Sequence, residues 1–304
     1  MTKRIERTFE ALREAERKAI VAHIFVGDPS IDESMDIAAA AVEGGADILE
    51  LAVPFSDSTE QGAVSARAAG RAIAQGASLA RVLDRAGRLV ERVGVPVVLS
   101  SHHAPVLMMH ERRLARLSRQ NGVDAVLVLD LPPGERNLLR AVGDAGLAMV
   151  PFATLTAGGS SGVDAVLEER AKRPDAPRGY IHLLSGGGGN VRSGLDPDAP
   201  DAPPPSTRAL GLISARVQAA ALRARAEMPV VIASALGAGI DSGSSARKAA
   251  GPAGEGADGV VVDGVITLII EDSTSAAERV ERVRALVMAL REGLDAAPNR
   301  PNYY

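Results

Sequence analysis

The sequence predicts an α/β fold, a closed (β/α)8 or TIM barrel, on three observations. Short apolar runs alternate with helical stretches about eight times along 304 residues, which implies parallel pairing through right-handed crossovers. A weak internal signature recurs: Gly45-Ala46-Asp47, Gly122-Val123-Asp124 and Gly256-Ala257-Asp258 each place a helix-ending Gly and a strand-opening Asp before an apolar run. No Gly-x-Gly-x-x-Gly follows the first run, which counts against an open dinucleotide-binding sheet. Such a barrel takes about 250 residues. The length therefore fits one domain over 1–304 with additions: an extra N-terminal helix and a long Gly/Pro-rich loop after strand six.

Residues 3–18 carry Ile5, Phe9 and Leu12 on one helical face, the pattern of a helix that caps the barrel bottom. Ala19-Ile-Val-Ala-His-Ile-Phe25 is the first strand, stopped by the turn signal Gly27-Asp28-Pro29. Residues 31–44 are helical and end at Gly44-Gly45. The second strand follows at 47–53. Helical patterns then cover 64–93, 106–120, 134–145, 161–171, 206–227, 243–253 and 274–292. Strands are expected at 96–100, 124–130, 147–153, 180–185, 229–234 and 259–263. Residues 186–205 are rich in Gly and then Pro, and read as a mobile loop on the barrel's catalytic face, a lid rather than an idle insertion. Residues 293–304 read as a frayed tail.

Composition narrows the function classes. Hydrophobic residues make up 46% and charged residues 24%, as in ordinary soluble domains. A net charge of -4 gives no global basic field, and 2% aromatics with no Trp give no stacking surface, so neither nucleic acid nor a membrane is an expected partner. The absence of cysteine removes disulfides, thiolate metal sites and cysteine nucleophiles. The charged N-terminus lacks the apolar core of a signal peptide, so a cytoplasmic location is expected.

The chain is organised around Asp47-Ile-Leu-Glu-Leu-Ala-Val-Pro-Phe-Ser-Asp-Ser-Thr-Glu-Gln-Gly62. Ile48, Leu49, Leu51, Ala52 and Val53 form the near-continuous apolar run of a strand covered on both faces. Glu50 interrupts it. A carboxylate there is costly unless paired, protonated or used. It is either a core carboxylate bonded to a neighbouring strand or a functional group. Pro54 ends the strand, and Ser56, Asp57, Glu60 and Gln61 follow at the end where α/β barrels do chemistry.

The run Phe25-Val-Gly-Asp-Pro-Ser30, followed by Gly44 to Asp57, resembles the tryptophan synthase alpha chain family. The resemblance spans about 20–270 and is strongest at 24–62 and 122–133. It implies a lyase that cleaves indole-3-glycerol phosphate to indole and glyceraldehyde 3-phosphate by retro-aldol chemistry, with no metal or organic cofactor. The family's catalytic glutamate maps onto Glu50. Its loop aspartate maps onto Gln61, which accepts a hydrogen bond but takes up no proton. Glu60, one position earlier, is the candidate substitute, with Asp57 assisting. Phe25, His103 and His182 are expected to line the substrate pocket. Gly237, Gly239 and Gly264 are expected to hold the phosphate, with Asp263 beside Gly264.

Other departures accompany these. Ser185-Gly-Gly-Gly-Gly-Asn-Val-Arg-Ser-Gly194 replaces the family's loop six, and its threonine has no clear counterpart. Ser100-Ser-His-His-Ala-Pro105 replaces the family's strand-three ending. Neighbouring strand residues face opposite sides, so His102 and His103 are expected to divide into one inward contact and one loop residue. His23 and His110 read as structural or exposed. Asp130-Leu-Pro-Pro133 matches a segment that in the family helps contact a beta chain, so a beta-like chain is a possible partner besides the small phosphorylated substrate. The departures at Gln61, Asp263 and loop six motivate a second reading: a catalytically impaired paralogue that regulates a beta-like pyridoxal phosphate enzyme, or a lyase for a different phosphorylated substrate.

Overall fold

Strands covered on both faces bury consecutive residues. The first strand, β1 (Ala19–Phe25), is buried at every position. In the computed structural model, residues 3–56, 63–154, 161–185, 205–234 and 243–296 are described. The strands after β1 are β2 (Ile48–Ala52), β3 (Val97–Ser101), β4 (Ala125–Val128), β5 (Ala148–Val150), β6 (Phe152–Thr154), β7 (Ile181–Ser185), β8 (Val230–Ser234) and β9 (Gly259–Val262). All pairings are parallel, in the order β5-β4-β3-β2-β1-β9-β8-β7-β6.

The two ends of that order are halves of one strand. Pro151 lies between them, has no N–H to donate, and breaks the ladder. β5 bonds to β4 and β6 bonds to β7, so the barrel closes through this split fifth strand.

Twelve helices are present among the described residues: α1 (Arg4–Glu14), α2 (Ile31–Glu43), α3 (Ala63–Ala74), α4 (Leu79–Arg92), α5 (His103–Met109), α6 (Glu111–Gln120), α7 (Asn137–Asp144), α8 (Ser161–Ala171), α9 (Pro205–Ala226), α10 (Gly243–Gly254), α11 (Gly264–Asp272) and α12 (Ala276–Ala296). Two expected single helices are each divided. The 64–93 stretch breaks at Gly76 (φ +73°), after which Ser78 caps α4. The 106–120 stretch begins earlier and breaks at His110 (φ +67°). Helix α11 is additional to the expected elements. Helix α12 runs to Ala296 with Leu294 buried, so the expected tail at 293–304 starts too early, and 297–304 lie outside the described residues. The expected lid lies outside them as well, apart from Pro205 at the start of α9.

Period-two alternation sorts the strand side chains into two cores. Ile20, Ala22, Ile24, Leu49, Leu51, Val97 and Leu99 face the helices. Val21, Ile48, Val98, Ala125, Leu127, Val150, Tyr180, Val231 and Val261 fill the barrel interior. Ile5, Phe9 and Leu12 of α1 join that interior cluster, so the N-terminal helix closes the bottom as its pattern predicts. Arg4 fixes the helix there, donating to the carbonyl of Val95 (2.7 Å) and to Asp124 (3.1 Å).

The repeated Gly-x-Asp signature has a common job. Gly45, Gly122 and Gly256 all have positive φ, which ends the preceding helix turn at little steric cost. Each Asp then accepts the backbone N–H at the start of a neighbouring strand: Asp47 from Ile20 (2.7 Å), Asp124 from Val97 (3.0 Å) and Asp258 from Val230 (2.8 Å). Each also pairs with an arginine, respectively Arg291, Arg4 and Arg223. The repeat thus pins strand starts at the barrel bottom and leaves the opposite end for loops.

Candidate active site

The alternation that fills the lower barrel with apolar groups places polar ones above them. Glu50 of β2 stands opposite His23 of β1 in the strand register. Its Oε2 lies 2.9 Å from Nδ1 of His23. Its Oε1 lies 3.0 Å from Nδ1 of His182 on β7 and accepts the Tyr180 hydroxyl. An ionised carboxylate only accepts, so each imidazole donates from Nδ1. Glu50 is fully buried, and His23 and His182 are each 4% exposed.

Burial alone pushes the Glu50 carboxyl up. The charge and hydrogen bond of His182, then those of His23, outweigh it and hold the group well below the usual carboxylate range. Burial likewise pulls the His23 imidazolium down, but Asp263 and then Glu50 reverse this and leave it raised. Burial and the neighbouring Glu50 charge push Tyr180 well above the ordinary phenol value, so it remains a donor. The cluster is therefore an ion pair with its carboxylate oxygens occupied, the form in which a buried carboxylate is tolerated.

Asp263 follows Val262, the register partner of Ala22, and so stands level with His23 at the end of β9. Its Oδ1 is buried without a hydrogen-bond partner, and so is Nε2 of His23. Gly264 is buried and opens α11. Phe25 lies two residues above His23, its ring 5.4 Å away and edge-on, and packs on Ala52, Ala68 and Ala69. His182 contacts the Phe152 ring at 5.4 Å.

The two strand-three histidines divide. His102 is buried, with its ring 5.0 Å from Phe55 beside the end of β2. His103, the one expected at the substrate, instead begins α5, with Nε2 3.6 Å from Glu135 and its backbone N–H donated to Asp130 (2.6 Å). Asp57, Glu60, Gln61, Gly237 and Gly239 lie outside the described residues.

His23, read from sequence as structural or exposed, is buried and bonded to Glu50. The alternation of β1 puts it on the face shared by Val21 and Phe25. Asp28, by contrast, holds structure together. It is fully buried and paired bidentately with Arg71 of α3 (2.7 and 2.8 Å), and Arg71 also binds Glu271 of α11. This fixes the helix that follows the 57–62 segment.

Comparison with known proteins decides the family. A profile described as tryptophan synthase alpha chain matches residues 9–188, more than half of the chain. The tryptophan synthase alpha chain of Xanthomonas campestris pv. campestris (strain B100) is 34% identical over 295 residues, covering 96% of this chain and 97% of that one. The chain belongs to the tryptophan synthase alpha chain family. The alpha chain of Xylella fastidiosa (strain M12) is 32% identical, covering 96% and 98%. A solved structure from Aquifex aeolicus VF5 superposes with a TM-score of 0.75 at 25% identity, covering 96% of this chain and 99% of that one. The tryptophan synthase alpha chain of Legionella pneumophila subsp. pneumophila superposes at 0.74 and shares the fold.

The barrel and the family resemblance are therefore both borne out. In this chain two inward histidines bond to the strand glutamate. Among the described residues no helix is long and apolar enough to cross a membrane.

Proposed function

We propose that this chain is a carbon–carbon lyase that cleaves indole-3-glycerol phosphate to indole and glyceraldehyde 3-phosphate, the alpha-chain reaction of tryptophan biosynthesis. The observation that carries the reading is Glu50, a fully buried carboxylate oriented by three donors, His23 of β1, His182 of β7 and Tyr180 just before β7. Retro-aldol cleavage needs a proton delivered to the ring carbon and one removed from the side-chain hydroxyl. Glu50 is the acid/base group in this reading. Glu60, Gln61 and Asp57 belong to the stretch of sequence before α3, the helix that Arg71 anchors. Gly264 and residues 237–239 are assigned to the phosphate. A backbone N–H at the start of α11 favours an anion there.

The partner in this reading is a beta-like chain. Leu107 and Met108 are 47% and 86% exposed, an apolar pair on α5, the helix whose first residue, His103, donates its backbone N–H to Asp130.

The test is indole release from indole-3-glycerol phosphate, by the chain alone and with a beta chain, for wild type and Glu50→Gln. The expected result is release that falls by about 10²–10⁴-fold in the variant. No release by wild type in either condition would overturn the lyase reading.

A further inference from the structure

The lyase reading requires two proton transfers, but Gln61 stands where the family carries its second carboxylate, and an amide takes up no proton. Among the described residues, His23 is a proton-holding group bonded directly to Glu50. His23 is 4% exposed, carries a direct 2.9 Å bond from Nδ1 to Glu50 Oε2, and leaves Nε2 buried and unpartnered beside Asp263. An imidazolium in that position is flanked by carboxylates on both neighbouring strands, Glu50 on β2 and Asp263 at the end of β9. The groups across the barrel, Tyr180 and His182, bond to Glu50.

We propose that His23 is the proton store of the site, a positioning residue that acts through Glu50 and makes one carboxylate serve both transfers. This rests on the lyase reading above. The resting pair is imidazolium and carboxylate. The Nδ1–H bond of His23 breaks as an O–H bond forms on Glu50, and Glu50 then gives that proton to the ring carbon. The carboxylate, now beside a neutral imidazole, takes the proton of the substrate's side-chain hydroxyl. As that O–H bond breaks, the C–C bond cleaves, its electron pair returns to the ring, and the oxygen becomes the aldehyde carbonyl. Glu50 finally returns the proton to Nδ1 of His23. Protons and charge balance over the cycle, and no further reactant enters. Asp263 holds the imidazolium charged between turnovers. Once His23 has given up its Nδ1 proton it neither donates to Glu50 nor opposes it with a positive charge, so the carboxylate becomes the stronger base that the second transfer needs.

The test combines His23→Asn, His23→Gln and Asp263→Asn with the histidine signals of the 15N-labelled protein. Asn keeps a donor near the Nδ1 position and Gln places an amide near the Nε2 position, but neither stores a proton. Wild-type kcat is expected to fall on an alkaline limb as His23 loses its proton; both variants are expected to lower kcat by about 10²–10⁴-fold with KM within about 3-fold, and to lack that limb. In wild type, the His23 ring is expected to titrate above the ordinary value of about 6.5, and to fall back toward it in Glu50→Gln and Asp263→Asn. Wild-type turnover and an unchanged pH profile in both His23 variants would overturn the proton store while leaving the lyase reading intact. If wild type releases no indole, the lyase reading fails, and the ring titration decides the pair by itself. An ordinary titration, unmoved by Glu50→Gln and Asp263→Asn, would then overturn it too.

Discussion

Oε2 of Glu50 and Nδ1 of His23 lie 2.9 Å apart across two strands held in register at those residues. Neither side chain is accessible enough for water to replace the other. Glu50 therefore keeps its charge because His23 and His182 supply donors, and His23 keeps its proton because Glu50 and Asp263 surround it.

This coupling fixes how stability depends on pH. The Glu50 carboxyl is lowered in the folded state, so its contribution is present above the unfolded value of about 4.3 and is lost as pH falls below it. The His23 imidazole is raised, so its contribution is fully present below about 6.5 and is lost as pH rises through the folded value. Denaturant midpoints for wild type should therefore be highest between about 4.5 and 6.5. In Glu50→Gln the maximum should flatten on both sides, because each partner's shift depends on the other. A variant curve parallel to wild type across this range would refute the coupling.

Arg71→Met should destabilise the chain by about 3 kcal/mol, the low end for breaking a buried pair, because the arginine is itself partly exposed. The substitution leaves the Asp28 carboxylate fully buried, with burial already pushing it up. Urea unfolding would measure the loss. Indole release should fall as well, since α3 carries the chain out of the 57–62 segment. Unchanged stability and turnover would show that the Gly-Asp-Pro turn anchors nothing.

Asp124→Ala should cost about 1–3 kcal/mol by stranding the Val97 N–H and releasing Arg4. The same change at Asp258 would free Val230 and Arg223. These sites lie at the barrel bottom, so kcat should stay within about 2-fold while thermal midpoints drop by a few degrees. A large kcat effect at unchanged stability would contradict the structural role assigned to the repeat.

Leu107→Asp combined with Met108→Asp should leave folding intact, since both side chains are exposed. Any stimulation of indole release by a beta chain should be lost, and the complex should weaken by at least about 10-fold, or 1.4 kcal/mol. Titration calorimetry with a beta chain reads the affinity directly. Wild-type affinity in the double variant would move the contact surface off α5.

Much of this was legible along the chain. Glu50 declared itself as the one charged residue in a buried run, and the three Gly-x-Asp triplets marked strand starts that prove to share one bonding pattern. Other features had no local signal. Helix α11 is Gly264-Val-Ile-Thr-Leu-Ile-Ile-Glu-Asp272, buried along nearly its whole length, so no polar stripe reports a helical period. The division of 64–93 at Gly76 needed a positive φ that sequence permits but does not require. Spacing alone does not say where β3 gives way to α5, and that boundary sets whether the His102 or the His103 ring turns inward.

The sequence by itself determined the barrel, the family and the buried glutamate, because these depend on patterns between residues near one another in the chain. Only the tertiary structure decided what the glutamate touches. His23 is 27 residues from Glu50, and Tyr180 and His182 are 130 and 132 residues away. They meet because the barrel closes on itself and brings inward-facing positions of β1, β2 and β7 to one height. Hydrogen bonding and charge at that site follow from closure, which no single strand encodes.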